Sequence, residues 1–202
     1  PALSNILLST MDSPADGPDG DADRAYMKDK PYRAAIGDLL WISRVYRYDI
    51  TYAVNACARV ANNPGPKHWE AVGKVMRYLN HTRDAQLVYR RNGSAKLEIN
   101  GYADSDWAPD YGTYFDNYRS TSGEIIDSNG HAVLWKSRRQ DRVAQSSAEA
   151  EYYSAADASK DLIFVARIMQ SIQPKHVHHV PTLYLDNKSA IQCAQNAQDN
   201  EK

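Results

Sequence analysis

The sequence predicts an α/β protein in which a mixed sheet with flanking helices follows a small helical segment. Two changes of pattern support this. Between residues 31 and 79 apolar residues recur at helical intervals, whereas from Leu87 onward short runs bounded by turn residues are typical of strands. Residues 132–185 then show a strand–helix–strand order, and such a crossover places the last strand parallel to a neighbour in the sheet.

Three helices are predicted in the first part of the chain. They cover residues 31–45, residues 49–62 with Asp49 as the N-cap, and residues 66–79. The third helix buries one apolar stripe. Its opposite face carries Lys67, Lys74, Arg77 and His81. These side chains suit either contact with a phosphate backbone or an ordinary solvated helix face.

The second part of the chain reads as strands and two helices. Residues 86–91 and 96–103 are predicted strands joined by an Asn92-Gly93 turn, and residues 122–127 and 132–136 form a hairpin at Asn129-Gly130. A long helix over residues 147–172 is capped by Ser146 or Ser147, with Glu149 as the capping-box acid. A strand at residues 182–185 and a helix at residues 187–197 complete the pattern.

Charge is distributed unevenly. Residues 1–23 hold five acids and neither Lys nor Arg, and their Pro, Gly and Asp content predicts that residues 1–30 form a disordered acidic linker. This segment lacks the central Gly and the final Glu of a calcium loop. Residues 31–91 hold ten basic and four acidic residues, and residues 92–202 hold eleven and fifteen. Such a balance suits a nucleic-acid clamp beside a carboxylate site, or simply a solvated surface.

Several other classes of protein or site lack support. The chain contains neither a run of eighteen apolar residues nor a signal-peptide pattern, so no association with a membrane is expected. Cys57 and Cys193 lack metal-binding spacing and are expected to be thiols in a reducing compartment. His176, His178 and His179 suggest zinc, but no nearby Cys or carboxylate completes a tetrahedral site.

Three acids stand at the ends of predicted elements. Asp104 ends the first long strand, Glu151 lies in the first turns of the long helix, and Asp186 follows the last strand. In a crossover fold, the carboxyl ends of parallel strands face the crevice where α/β sheets place their sites. Clustered acids repel one another unless a cation neutralises them, and Mg²⁺ is the oxygen-seeking ion that fits. Spacing alone leaves open the choice between Asp104 and Asp106, and between Glu149 and Glu151.

Motifs in both parts of the chain resemble one known family. Tyr102-Ala-Asp-Ser-Asp-Trp-Ala108, Arg119-Ser-Thr-Ser-Gly123, Ser146-Ser-Ala-Glu-Ala-Glu-Tyr152 and Leu185-Asp-Asn-Lys-Ser-Ala-Ile191 resemble, in order, the motif series of copia-type ribonuclease H domains. Pro31-Tyr-Arg-Ala-Ala-Ile-Gly-Asp-Leu-Leu40, Tyr48-Asp-Ile-Thr-Tyr-Ala53, Asn63-Pro-Gly-Pro-Lys-His-Trp-Glu70 and Arg77-Tyr-Leu-Asn-His-Thr-Arg83 resemble the reverse transcriptase tail of the same retrotransposon polyprotein. The resemblance covers about residues 30–195.

The resemblance implies a fold and an organisation. Residues 31–91 would be the helical reverse transcriptase tail, and residues 92–202 a ribonuclease H-like domain truncated at its C-terminus. The family's fourth metal-site Asp would lie beyond Lys202, so the chain as given is expected to be weakly active or inactive. Residues 109–118 are longer and more aromatic than the family pattern, and nothing in the sequence accounts for them.

The resemblance also implies an activity: Mg²⁺-dependent endonucleolytic hydrolysis of the RNA strand of an RNA–DNA hybrid during reverse transcription. Asp104, Glu151 and Asp186 would be catalytic metal ligands for two Mg²⁺ ions, with Mn²⁺ as a substitute and Asp106 and Glu149 in supporting positions. The partners would be the hybrid and the upstream reverse transcriptase, inside the cell. One alternative is a truncated or domesticated domain that serves as a non-catalytic scaffold, and another is an integrase-like nuclease of the same superfamily.

Polar and basic side chains are expected to hold the hybrid, whose minor groove exposes 2′-hydroxyls between two phosphate rims. The candidates for hydroxyl contacts are Gln145, Ser146, Ser147 and Asn187. The candidates for phosphate contacts are Arg119, Lys136, Arg138 and Arg139, together with Lys67, Lys74 and Arg77 upstream. Ser146 and Ser147 are equally plain as helix caps.

Overall fold

The computed structural model describes residues 8–91, 96–107, 118–175 and 177–196, without the side chains of residues 177 and 178. The chain divides into two compact units. Among the described residues, unit 1 comprises residues 8–87, and unit 2 comprises residues 88–91, 96–107, 118–175 and 177–196.

Unit 1 is helical. Its helices are α1 (Asp21–Met27), α2 (Tyr32–Val45), α3 (Thr51–Arg59) and α4 (Pro66–His81). The fully buried side chains of Val54, Cys57, Val72 and Val75 form the centre of its core. This core results from apolar residues recurring at helical intervals, and the three predicted helices are present within a few residues of their expected bounds.

The prediction of a disordered linker over residues 1–30 is wrong for the described residues 8–30. Short 3-10 turns at Thr10–Asp12 and Pro18–Gly20 precede α1. The segment is held by polar contacts, because the Ser9 carbonyl bonds to the buried His68 ring at 2.9 Å. Met27 also joins the apolar core. Composition does not reveal such anchoring, because it depends on partners that lie some sixty residues away in the sequence.

The predicted N-cap of the second helix is also wrong. Asp49 lies in a 3-10 turn, Tyr48–Ile50, and α3 begins after it at Thr51. The Asp49 carboxylate accepts hydrogen bonds from the Arg47 guanidinium at 2.8 and 2.9 Å and from the Tyr78 hydroxyl at 2.9 Å. A tertiary partner therefore replaces the helix N–H groups that a cap would bind.

Within its described residues, unit 2 contains six strands and two helices. They are β1 (Lys96–Leu97), β2 (Ile99–Asp106), β3 (Thr121–Ser128), β4 (His131–Arg139), α5 (Ser147–Ile172), β5 (Val177–His178), β6 (Thr182–Tyr184) and α6 (Lys188–Gln195). The main sheet has the order β4-β3-β2-β6, with β6 parallel to β2 and the other pairs antiparallel. The short β1 and β5 pair in parallel. This topology confirms the predicted mixed sheet with flanking helices.

In unit 2, the predictions that rest on a specific turn sequence or on a helix-capping residue are confirmed. The hairpin turn has Asn129 at φ 51° and Gly130 at φ 81°, the left-handed pair that a two-residue turn requires. Helix α5 has its predicted bounds, and Ser146 is its cap, accepting a hydrogen bond from the Glu149 N–H at 3.2 Å. The predicted strand at residues 86–91 is absent, and the Asn92-Gly93 turn lies outside the described residues.

Apolar residues that face one another hold α5 on the sheet. Leu162 and Val165 pack with Leu97, Ile99 and Ile126 in the core of unit 2. In sequence, α5 lies between β4 and β6, and it forms the crossover that places β6 beside β2. Within the described part of the chain, no helix has the length and apolar character needed to cross a membrane.

Candidate metal centre

Three acids from three elements converge at one end of the unit 2 sheet. Asp104 is near the carboxyl end of β2, Asp186 follows β6 by two residues, and Glu151 lies in the second turn of α5. One carboxylate oxygen from each lies within 4.8 Å of the other two. The carboxyl ends of the parallel strands β2 and β6 point the same way, so the topology itself brings Asp104 and Asp186 together.

The setting of Glu151 differs from that of its two neighbours. It is buried, whereas Asp104 and Asp186 are exposed. Its Oε1 accepts a hydrogen bond from the Ser105 backbone N–H at 3.2 Å, while its Oε2 is buried without a hydrogen-bond partner among the described residues. Burial raises the pKa of Glu151, the bond from Ser105 opposes that shift, and the charges of Asp104 and Asp186 add to it.

An oxygen that is buried and unpartnered is costly unless a cation or proton meets it. Together with the two exposed carboxylates of Asp104 and Asp186, Glu151 makes a donor set of oxygens alone. Hard divalent ions such as Mg²⁺ prefer such a set. The residues present therefore fit the ion that the sequence pattern suggested.

Sequence spacing left open the choice between Asp104 and Asp106 and between Glu149 and Glu151. The structure distinguishes the members of each pair. Glu149 points back to the helix cap, where it accepts hydrogen bonds from the Gln145 N–H at 2.7 Å and the Tyr153 hydroxyl at 2.8 Å. The bond from Gln145, with that from Tyr153, lowers the pKa of the Glu149 carboxyl. Asp106 is exposed at the end of β2 and lies outside the group formed by Asp104, Glu151 and Asp186.

Two serines that the sequence analysis did not single out brace this site. The Ser154 hydroxyl, one turn after Glu151, donates to the Asp104 carbonyl at 2.8 Å, and the Ser105 N–H holds Glu151. Both bonds join β2 to α5 directly beside the acids. Ser154 follows Glu151 by three residues and so lies on the same helix face, which is a usable sequence signal.

Several predicted nucleic-acid contacts are already engaged within the protein. Lys136 forms ion pairs with Asp161 of α5 and with Glu124 of β3, the latter at 3.4 Å. Arg138 pairs with Asp141 at 2.9 Å, and the Asn187 side chain caps α6 by accepting from the Ala190 N–H at 3.1 Å. Both side chains of the Arg138–Asp141 ion pair are exposed. Such a pair is weak, so Arg138 can readily exchange Asp141 for another anion.

The other predicted contacts lie on the surface of their units. Arg119, Gln145, Ser146 and Ser147 are exposed in unit 2, and Arg139 is half-buried at the end of β4. In unit 1, α4 presents three basic residues, Lys67, Lys74 and Arg77. Lys67 pairs with Asp12 and Lys74 with Glu70, the latter at 3.3 Å. His176 and the side chain of His178, which suggested zinc, lie outside the described residues, as do residues 109–117.

The chain is similar to transposon polyproteins. It is 34% identical over 175 residues to the retrovirus-related Pol polyprotein of transposon TNT 1-94 from Nicotiana tabacum, and 33% identical over 165 residues to that of transposon RE2 from Arabidopsis thaliana. These matches cover 87% and 82% of this chain. The chain spans only 12% and 11% of the two polyproteins.

Other comparisons add three facts. The chain is 39% identical over 139 residues to the secreted RxLR effector protein 161 of Plasmopara viticola, covering 69% of this chain and 94% of that protein. Among solved structures, the LC11 ribonuclease H1 in complex with an RNA/DNA hybrid has a TM-score of 0.31 and 16% identity, covering 52% of this chain and 66% of that one. No protein-family model matches the chain.

Proposed function

Because the chain belongs to the copia-type, retrovirus-related Pol polyproteins of transposons, we propose that unit 2 is a divalent-metal-dependent ribonuclease H that hydrolyses the RNA strand of an RNA–DNA hybrid. The observation that carries this proposal is the convergence of Asp104, Glu151 and Asp186 within 4.8 Å. Carboxylates so close together repel one another unless a cation or a proton neutralises them.

The three acids would hold Mg²⁺, or Mn²⁺ in its place, and the sequence resemblance implies two ions. Bound ions would activate the attacking water and stabilise the leaving oxygen of the phosphodiester. Glu151 would bind with Oε2, because its Oε1 is already held by the Ser105 N–H. Asp104 and Asp186, which are exposed, would present their oxygens on the side that a phosphate can reach.

The chain's own side chains would position the hybrid. Arg119 precedes β3 and is exposed, so it can approach a phosphate without breaking an ion pair recorded among the described residues. Gln145 and Ser147 are exposed at the start of α5, six and four residues before Glu151 respectively, and carry groups that suit 2′-hydroxyls. Ser146 would contribute less, because its hydroxyl caps α5.

We further propose that unit 1 is the C-terminal tail of the reverse transcriptase, and that the rest of that enzyme is its partner. The similarity to the tobacco polyprotein extends over 175 residues, which is more than unit 2 contains, so it includes part of unit 1. Lys67, Lys74 and Arg77 of α4 would then contact a phosphate backbone.

A hybrid carrying a labelled RNA strand tests the main proposal. The wild-type chain extended past Lys202 is expected to cleave the RNA strand with Mg²⁺ or Mn²⁺, whereas Asp104→Asn in the same extended chain is expected to abolish cleavage and keep the fold. Glu98→Gln, which removes an exposed acid of unit 2 outside the cluster, is the matched control and is expected to cleave normally. Equal cleavage by the wild type and Asp104→Asn would refute the assignment.

A non-catalytic scaffold is the second candidate. The similarity to the Plasmopara viticola effector covers 94% of that protein, so a similar segment is found in a protein that is not named as a polyprotein. A scaffold would not need to bind the ion. Calorimetric titration with Mn²⁺ therefore separates the two candidates: heat of binding that Asp104→Asn removes supports the nuclease, and its absence in the wild type supports the scaffold.

A further inference from the structure

Gln140 lies immediately after β4 and is buried beneath the start of α5. Its backbone N–H donates to the Ser120 carbonyl at 2.8 Å. Its side-chain Nε2 donates to the Ser122 hydroxyl at 2.9 Å and to the Ala150 carbonyl at 2.8 Å. One side chain thus ties β3 to the first turn of α5.

The orientation of the Gln140 amide follows from its partners. The Ala150 carbonyl can only accept a hydrogen bond, so the nitrogen of the amide must face it. The Oε1 atom then lies buried without a hydrogen-bond partner among the described residues. A buried glutamine that leaves one polar atom unpartnered carries a cost, and the bond to α5 offsets part of it.

The residues that Gln140 joins are next to the metal centre. Ala150, which is fully buried, directly precedes Glu151. Ser122 of β3 is paired with Ser105 of β2, the residue whose N–H holds Glu151. Gln140 therefore links β3 to α5 directly beside the Glu151–Ser105 hydrogen bond, which links β2 to α5.

We infer that Gln140 is a positioning residue, which sets the first turn of α5 so that Glu151 reaches the Ser105 N–H and turns its second oxygen toward Asp104 and Asp186. This inference builds on the proposed metal-dependent function, since it assigns the residue that aligns one of the three ligands. Gln140 itself is not a ligand. Groups that orient metal ligands from behind commonly change metal affinity by about 10- to 100-fold when they are removed.

Gln140→Met tests the inference, because it keeps the length of the side chain and removes the donor. In the apo protein, hydrogen exchange at the Ser105 amide is expected to accelerate, while exchange at Ile126, which is fully buried in β3, stays as in the wild type. Mn²⁺ affinity measured by calorimetry is expected to fall by about tenfold. Gln170→Met, an exposed substitution on α5, is the matched control and should change neither quantity.

Gln140→Glu provides a second variant in case the first one fails to fold. It preserves the shape of the side chain but directs a carboxylate oxygen at the Ala150 carbonyl, so the same two changes are expected. Unchanged Ser105 exchange and unchanged Mn²⁺ affinity in either folded variant would overturn the inference. If the wild type binds no Mn²⁺ but Ser105 exchange still accelerates, the proposed function fails and the positioning role stands.

Discussion

Glu124 and Lys136 face each other across the β3–β4 pair, with Glu124 Oε1 3.4 Å from Lys136 Nζ. Asp161 of α5 pairs with the same lysine, so one cation lies between two carboxylates. They line a cavity of about 220 Å³ to which Ser122 and Ser154 also contribute. Burial, with the hydrogen bond and charge of Asp161, raises the pKa of Glu124 to about 7. Burial acts to raise the pKa of Asp161, but the hydrogen bonds with Glu124 and Lys136 outweigh burial and lower the pKa of that carboxyl.

This arrangement predicts that the stability of unit 2 falls as the pH rises from about 5 to about 7.5. The folded state holds a proton on Glu124 through a range in which the unfolded chain has lost it, so raising the pH favours unfolding. Glu124→Gln is expected to remove most of this dependence, the raised pKa of Glu151 leaving the remainder, and to raise the free energy of unfolding at pH 8 by roughly 1–2 kcal/mol. Urea unfolding at several pH values measures both effects. A wild type that grows more stable across this range would contradict the prediction.

Mg²⁺ is expected to stabilise unit 2 through the three acids. At an ion concentration one hundred times Kd, the gain would be about 2.7 kcal/mol, because the ion binds the folded state alone. Asp186→Asn is expected to abolish most of this gain and to leave the ion-free protein at least as stable as the wild type, because one of three repelling carboxylates is neutralised. Thermal unfolding with and without Mg²⁺ measures this, with Glu98→Gln as the control.

The cap of α5 predicts a difference between two adjacent serines. Ser146→Ala is expected to lower the free energy of unfolding by about 1 kcal/mol, because the Glu149 N–H loses its acceptor. Ser147→Ala, at the first position within the helix, is expected to be nearly neutral. Chemical unfolding followed by the circular dichroism of the helices measures both. Equal effects at the two serines would show that Ser146 does not act as the cap.

Substitution of glycine by alanine is expected to have opposite effects at two positions of unit 1. A Cβ on Gly65 would overlap the backbone oxygen of Asp12, so Gly65→Ala is expected to destabilise unit 1 by about 1–3 kcal/mol and to loosen residues 8–30. Gly37 is within α2 with open space around it, so Gly37→Ala is expected to stabilise the unit by about 0.5–1 kcal/mol. Chemical unfolding and limited proteolysis measure these effects. A neutral Gly65→Ala would argue against the packing of the segment on α4.

The sequence by itself determined those elements whose signals are local. The hairpin at Asn129-Gly130 and the bounds of α5 follow from turn geometry and a serine cap, which act within a few residues. The three acids could be proposed for the same reason, since each lies near the end of a recognisable element. The order of the elements then required β6 to be parallel to β2.

Only the tertiary structure decided the relationships between residues that are distant in sequence. It determined that Glu151 faces Asp104 and Asp186 while Glu149 serves the helix cap, because the rotation of α5 on the sheet depends on packing at Leu162 and Val165. It likewise joined Asp49 to Tyr78 and anchored residues 8–30 to His68. Periodicity and composition describe one segment at a time, whereas burial and charge pairing are properties of surfaces that meet only in the folded chain.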